Sequence, residues 1–304
     1  MRIVSTIAVT IALSCSTLPA IVPEVRALLR NGDSSGADKL LDAHKAKQGL
    51  DGEYLEAFSW KARDALARKD YAQAEKLAAE TRKQAIALLK KRNLDAEPHL
   101  PVALGAAIEV QAQAAAARGE RDQAVMYLRD ELKRYYNTSI RTRIQKNINL
   151  LSLEGKPAPE LETKQWLGTK PGTLASYRGK PVLLFFWAHW CSDCKRQMPL
   201  IHQVRKEYAS KGLVVIGPTQ HYGYAERGRE VSPEEELKYI DSVRQGFYAP
   251  LSDMPVPVSE ENFRRYGAST TPTLVLVNRK GMVTTYNPGN LTIDDLRNAI
   301  NKAL

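Results

Sequence analysis

Cysteine is scarce in this chain: three in 304 residues, at positions 15, 191 and 194. So small a number excludes a disulfide-stapled scaffold, which is short and cysteine-dense. Glycine and proline are too few for wholesale disorder, with 18 and 16 residues. No basic run exceeds Lys90-Lys91-Arg92, although the formal net charge is +10. Scattered cations at helical spacing read as a solvated helix face, so nucleic acid is not expected as a partner. Past the first twenty residues no stretch approaches the roughly twenty apolar residues of a bilayer span, and membrane attachment is not expected.

The first twenty residues differ from the rest. Met1-Arg2 gives a positive start, Ile3 to Leu13 is apolar apart from Ser5, Thr6 and Thr10, and Leu18-Pro19-Ala20 offers a small residue at a cut. This is the pattern of a secretory signal peptide over residues 1–20, which predicts a periplasmic or otherwise exported protein. Lipid anchoring at Cys15 is the lesser alternative, because Ala12 stands where a lipoprotein signal carries a larger aliphatic residue. After removal of the leader only Cys191 and Cys194 remain, and two cysteines three apart point to catalysis or metal.

Residues 21–153 read as helix throughout, with apolar residues recurring at three and four, as in Ala62, Ala65, Leu66 and in Val125, Leu128, Leu132. A weak repeat runs through them. Asn31-Gly32-Asp33 precedes Ala37, Lys69-Asp70 precedes Ala74, and Gly119-Glu120 precedes Ala124. Each is a polar turn followed by a helix that brings a small residue inward, which resembles tetratricopeptide repeats; a plain helical bundle has nearly equal weight. The prolines of Gly155-Lys156-Pro157-Ala158-Pro159 then break the helical texture. That break suggests two independently folding domains, 21–153 and 154–304, joined by a short linker.

Beyond the break strands alternate with helices. Val182 to Trp187 and Leu213 to Ile216 are apolar runs of buried-strand length, and Thr273 to Asn278 and Met282 to Tyr286 flank the turn at Gly281. Helices are expected from Cys191, from Pro233 behind a Ser232 cap, and from Asp294 behind a Thr292 cap. The expected fold is α/β with a mixed sheet.

The strongest signal is Phe186-Trp187-Ala188-His189-Trp190-Cys191-Ser192-Asp193-Cys194, in which a buried strand runs into a Cys-x-x-Cys that opens a helix. The positive end of the helix favours the Cys191 thiolate over the thiol. Two intervening residues put the second sulfur one turn away, within reach of a disulfide.

With its surroundings this motif resembles the thioredoxin superfamily, and most closely its exported TlpA-like branch. Pro157 to Leu161, Leu174 to Pro181, Trp190-Cys191, Pro199, Tyr266-Gly267-Ala268 and Thr270-Thr271-Pro272-Thr273 arrive in the family's order over residues 157–304. The resemblance implies a thioredoxin-like fold behind the all-α region and the activity of a thiol–disulfide oxidoreductase. It implies Cys191 as exposed nucleophile and Cys194 as the buried resolving thiol. It also implies Pro272 as a cis-proline facing them, and the Thr271 backbone and Trp190 as substrate-binding. Protein thiols or disulfides are the implied substrates, with an upstream thiol donor; a protein partner for the helical half is also expected, and no cofactor or metal.

Three departures stand out. Ser192-Asp193 separates the cysteines where many relatives have a proline before the second one. Phe185 replaces the buried acid of cytosolic thioredoxins, which leaves Asp193 or water to move the proton at Cys194. The stretch from Thr219 to Arg229 is long and polar, and reads as a surface loop ahead of a substrate lip. An Asp193 charge beside the sulfur disfavours the thiolate and makes the dithiol the better reductant, against the pull of Lys195 and Arg196. The TlpA-like branch is mostly reducing, so the resemblance implies a disulfide reductase, ahead of an oxidase or isomerase. A copper- or zinc-handling protein using Cys191, Cys194 and His189, His202 or His221, and an interaction scaffold, are the readings from other classes.

Overall fold

A computed structural model describes residues 20–304. The signal peptide read from residues 1–20 lies outside the described residues save for Ala20, and Cys15 lies outside them altogether.

Seven helices come first: α1 (Ile21–Arg30), α2 (Ser34–Gln48), α3 (Gly52–Ala67), α4 (Tyr71–Leu89), α5 (His99–Ala117), α6 (Arg121–Arg134) and α7 (Arg141–Ser152). They stack as hairpins, α1 on α3, α3 on α5 and α5 on α7, with α2, α4 and α6 packed between. Three of the connecting turns are built alike. The amides of Asp33, Asp70 and Glu120 each donate to the carbonyl five residues back, at Leu28, Ala65 and Ala115. The residue before each acid, Gly32, Lys69 and Gly119, has positive φ. Four residues after each acid, Ala37, Ala74 and Ala124 are buried. A methyl there lets the next helix approach closely, and Asp33 and Asp70 cap their helices by accepting from the amides of Gly36 and Gln73.

Helix α5 corrects one expectation. By length and composition alone it could cross a membrane, but 56% of its most apolar window is buried inside the protein. Its Leu100, Leu104 and Ile108 belong to the helical core.

The second half holds β1 (Trp166–Leu167), β2 (Val182–Phe186), α8 (Ser192–Glu207), β3 (Val214–Ile216), α9 (Pro233–Phe247), β4 (Val256–Pro257), α10 (Glu260–Tyr266), β5 (Thr273–Val277), β6 (Val283–Pro288) and α11 (Ile293–Ala303). The main sheet runs β3-β2-β5-β6; β2 is parallel to β3 and antiparallel to β5, and β5 and β6 form the closing hairpin. This is a thioredoxin-like mixed sheet. Period-two alternation sends Leu183, Phe185, Leu274 and Leu276 into one core with α8, α9 and α11. Val182, Leu184, Phe186, Val275 and Val277 face the other way, onto Phe263 and Tyr266 of α10. Ser232 and Thr292 cap α9 and α11 as expected, accepting from the amides of Glu235 and Asp295.

The segment after α7, expected as a short linker, is hydrogen-bonded along β6 and the turn before it. The Gly155 amide donates to Val283, the Val283 amide to Lys156 and the Ala158 amide to Gly281. Gly267, at φ +59°, ends α10 so close to α7 that a Cβ there would lie 2.7 Å from the Gln145 carbonyl carbon and nearer still to the Lys146 backbone. Two polar contacts reinforce this seam. Asn149 donates to the Arg265 carbonyl at 3.3 Å, and the Tyr286 amide donates to the Glu154 carboxylate at 3.0 Å.

Candidate active site

Strand β2 ends buried at Phe186, and the chain turns through Trp187 to Trp190 before α8 begins. Trp187 fixes this turn. Its amide donates to Pro218, its indole N–H donates to the Gly217 carbonyl at 2.9 Å, and its carbonyl accepts from the Thr219 hydroxyl at 2.9 Å. The turn delivers Cys191 to the N-cap of α8, where Sγ accepts from the Cys194 amide at 3.0 Å. Cys191 and Cys194 are disulfide-bonded, with Cα atoms 5.3 Å apart. A helix-start N–H that donates to the first sulfur favours negative charge there.

Cys191 is not exposed in this form. It keeps 3% of its surface and Cys194 none. The segment before β5 closes over the pair. Thr271–Pro272 is a cis peptide, Pro272 is buried, and the Thr271 carbonyl oxygen lies 3.4 Å from Cys191 Sγ. Trp190 sits on the rim, half exposed, and meets the Tyr222 ring edge-on at 5.5 Å. Asp193 is ion-paired to Arg196, and Lys195 Nζ rests 4.0 Å from the Phe247 ring centre. The Asp193 charge therefore reaches the sulfurs partly offset, which weakens the argument drawn from it.

The polar stretch after β3 is not a bare surface loop. Tyr222, at its centre, packs on Trp190 and on His189, and Tyr224 and Tyr239 close around the same imidazole at 5.3 Å each. Behind them lies Glu236, fully buried in the first turn of α9. It accepts from the Tyr222 and Gly223 amides at 2.6 and 3.0 Å, and lies 3.2 Å from His221 Nδ1. His189 Nε2 comes within 3.4 Å of the same carboxylate, at an angle too poor for a hydrogen bond. Burial lowers the pKa of His189 against the opposing pull of Glu236, so the imidazole is neutral near pH 7.

The sequence reading missed this cluster, and in the sequence Glu236 is one of three successive acids at the start of α9. His189 and His221 converge on that carboxylate, and among the described residues no group of three His, Cys, Asp or Glu side chains could hold a metal. The metal-handling reading therefore finds no ligand set there.

A Cys-x-x-Cys at a helix start, faced by a cis-proline segment on a thioredoxin-like sheet, defines the class: a thioredoxin-like thiol–disulfide oxidoreductase. Sequence comparison with known proteins agrees. Residues 155–286 match the AhpC/TSA family. The thioredoxin-like protein YneN of Bacillus subtilis is 29% identical over 140 residues, covering 46% of this chain and 74% of that one. The thiol-disulfide oxidoreductase ResA of Geobacillus thermodenitrificans is 24% identical over 145 residues, covering 47% and 74%. Among solved structures, a thiol:disulfide interchange protein DsbE from Chlorobium tepidum is similar at 25% identity, covering 49% of this chain and 96% of its own, with a TM-score of 0.38.

Proposed function

We propose that this protein is an exported disulfide reductase that acts on protein substrates, with Cys191 as nucleophile and Cys194 as resolving thiol. The observation that carries the reading is the unequal setting of the two sulfurs. Cys191 Sγ receives the Cys194 amide at the helix start and faces the Thr271 carbonyl, whereas Cys194 is wholly enclosed. In the reduced protein the Cys191 thiolate attacks a substrate disulfide, forming a mixed disulfide and releasing one substrate thiolate. Cys194 then attacks Cys191, releases the second substrate thiol and leaves the Cys191–Cys194 disulfide. Two electrons pass to the substrate, and an upstream thiol donor returns them.

The reducing direction is supported by burial. Burial to 3% exposure and the Thr271 carbonyl oxygen oppose the negative charge that the Cys194 amide favours on Cys191, and to the extent that they offset it they favour the disulfide over the dithiol and make the dithiol a donor. Export is supported by the leader pattern of residues 1–20, with Ile21 opening the first helix directly after the expected cut. The repeated turns and alternating stack of α1 to α7 support a tetratricopeptide-type arrangement for the helical half.

Trapping tests the assignment. Incubated with a protein disulfide, reduced Cys194→Ser is expected to accumulate a mixed disulfide on residue 191, and Cys191→Ser is expected to form none and to lose turnover. Adducts on Cys194 in the Cys191→Ser protein at a comparable rate would reverse the roles.

A further inference from the structure

Where the helical half meets the cis-proline segment there is a pocket of about 350 Å³. Val102 of α5 and Ile140, Arg143 and Lys146 of the α7 region form one wall, and Ser269 and Thr270 form the other. Ser269 and Thr270 are exposed and stand two and one residues from Thr271, whose carbonyl is 3.4 Å from Cys191 Sγ.

The pocket lies beside the cis-proline segment, next to Thr271 in the chain. A polypeptide laid in extended form on the Thr271 backbone advances about 3.3 Å per residue. Continuing along Thr270 and Ser269, it brings the second or third residue from its cysteine to the pocket mouth.

The wall it meets there is cationic. Arg143 Nε and Lys146 Nζ share a single carboxylate, Glu109, at 2.9 and 3.0 Å, and their side chains remain 22% and 13% exposed. A third cation stands behind them. Burial and then the Arg143 charge hold the Arg63 guanidinium down to about 10, against the pull of Glu109 and Glu56. Two cations that share one carboxylate leave the pocket wall with unspent positive charge. The Gly267 contact with α7 fixes that wall to the cis-proline segment.

We propose that this pocket is a specificity subsite built by both halves, which receives an acidic side chain two or three residues from the target cysteine of a polypeptide substrate. The subsite rests on the reading of the chain as a reductase of protein disulfides. It gives the helical half a part in substrate choice beside the sulfurs.

The test uses the reduced full-length chain and peptides with one cysteine, blocked as a mixed disulfide with 2-mercaptoethanol. Glu, Gln or Lys is placed two and three residues from that cysteine on either side. Hydroxyethyl disulfide, small and neutral, reports on the sulfurs alone. The Glu peptide on one side is expected to react with a kcat/KM about threefold to tenfold above its Lys counterpart, the range open to a partly exposed ion pair. The ratio should shrink toward one in about 0.5 M salt. Lys146→Gln should lower it. So should Ser269→Asp, which adds the opposing charge at an exposed position and leaves the Glu109 ion pairs intact.

Equal rates for Glu and Lys peptides, or a preference that both variants keep, would overturn the subsite while hydroxyethyl disulfide is still reduced. A chain that reduces neither peptide nor hydroxyethyl disulfide would remove the reductase reading, and the subsite with it.

Discussion

The two halves of this molecule are packed by opposite means. In the helical half alanine is the commonest buried apolar residue, as at Ala62, Ala65, Ala74, Ala78, Ala103 and Ala107, and at these points the helices approach with methyl groups between them. In the sheet half the largest enclosed side chains are Trp187, Tyr248, Tyr266, Phe185 and Phe186, with Trp187 and Tyr248 ring centres 4.7 Å apart. Small residues set helix spacing and make a scaffold whose shape follows from its turns. Large aromatics fill the space around a sheet edge and hold one turn, Trp187 to Cys191, in place. Chemistry therefore sits where rigid aromatic packing ends at the sulfurs, and the helical half offers a shaped surface next to it.

If the halves act as one body, the seam between them should be the most sensitive place to break. Gly267→Ala would drive a Cβ into the α7 backbone and give a non-glycine residue φ +59°. Such a clash with backbone cannot be relieved by a rotamer, and a loss on the order of 3 kcal/mol is expected by urea unfolding. A change below about 1 kcal/mol would mean that α7 moves freely against the cis-proline segment and that the halves are separable.

The next test lies inside the helical half. Burial opposes ionisation of Glu109, but Arg143 and Lys146 outweigh it and bring the carboxyl from its ordinary 4.5 down to about 2. Because the folded value is depressed, the stabilisation is complete above the unfolded value and is lost as pH falls from about 4.5 toward 2. At neutral pH it is worth about 3 kcal/mol as an upper order of magnitude, since each unit is about 1.4 kcal/mol. Unfolding followed between pH 6 and pH 3 should show a slope that Glu109→Gln flattens. An unchanged slope would place the acid sensitivity in the sheet half.

The smallest effect sharpens the repeat. Lys69 holds φ +64° where the equivalent turns have Gly32 and Gly119. Relief of that strain by Lys69→Gly should stabilise the protein by about 0.5–1 kcal/mol, reduced by the added freedom of the unfolded chain. Destabilisation would show that the lysine side chain contributes more than its backbone costs.

What the sequence made legible was local or ordered along the chain. The helical turns, the caps at Ser232 and Thr292, strand β2 and the helix-start position of Cys191 all follow from short patterns. So does the pairing of Cys191 with Cys194, because the motif itself brings the sulfurs together. What stayed hidden depends on contacts between distant segments. Glu236 gains its place from two loop amides and two histidines on other elements, none within ten residues of it. The two-residue strands β1 and β4 are too short for a periodic signal, and the prolines of residues 157–159 signalled a break without showing that the chain there joins β6.

The reduction potential of the Cys191–Cys194 pair tests the central claim most directly. It is measured on the full-length chain equilibrated in buffers of reduced and oxidised dithiothreitol and glutathione, with the oxidised fraction read by thiol alkylation. The account predicts a single two-electron transition in the reducing range, close to the roughly −270 mV of thioredoxin. A value near the roughly −120 mV of a strong oxidant such as DsbA, or no reversible transition at these two cysteines, would contradict it.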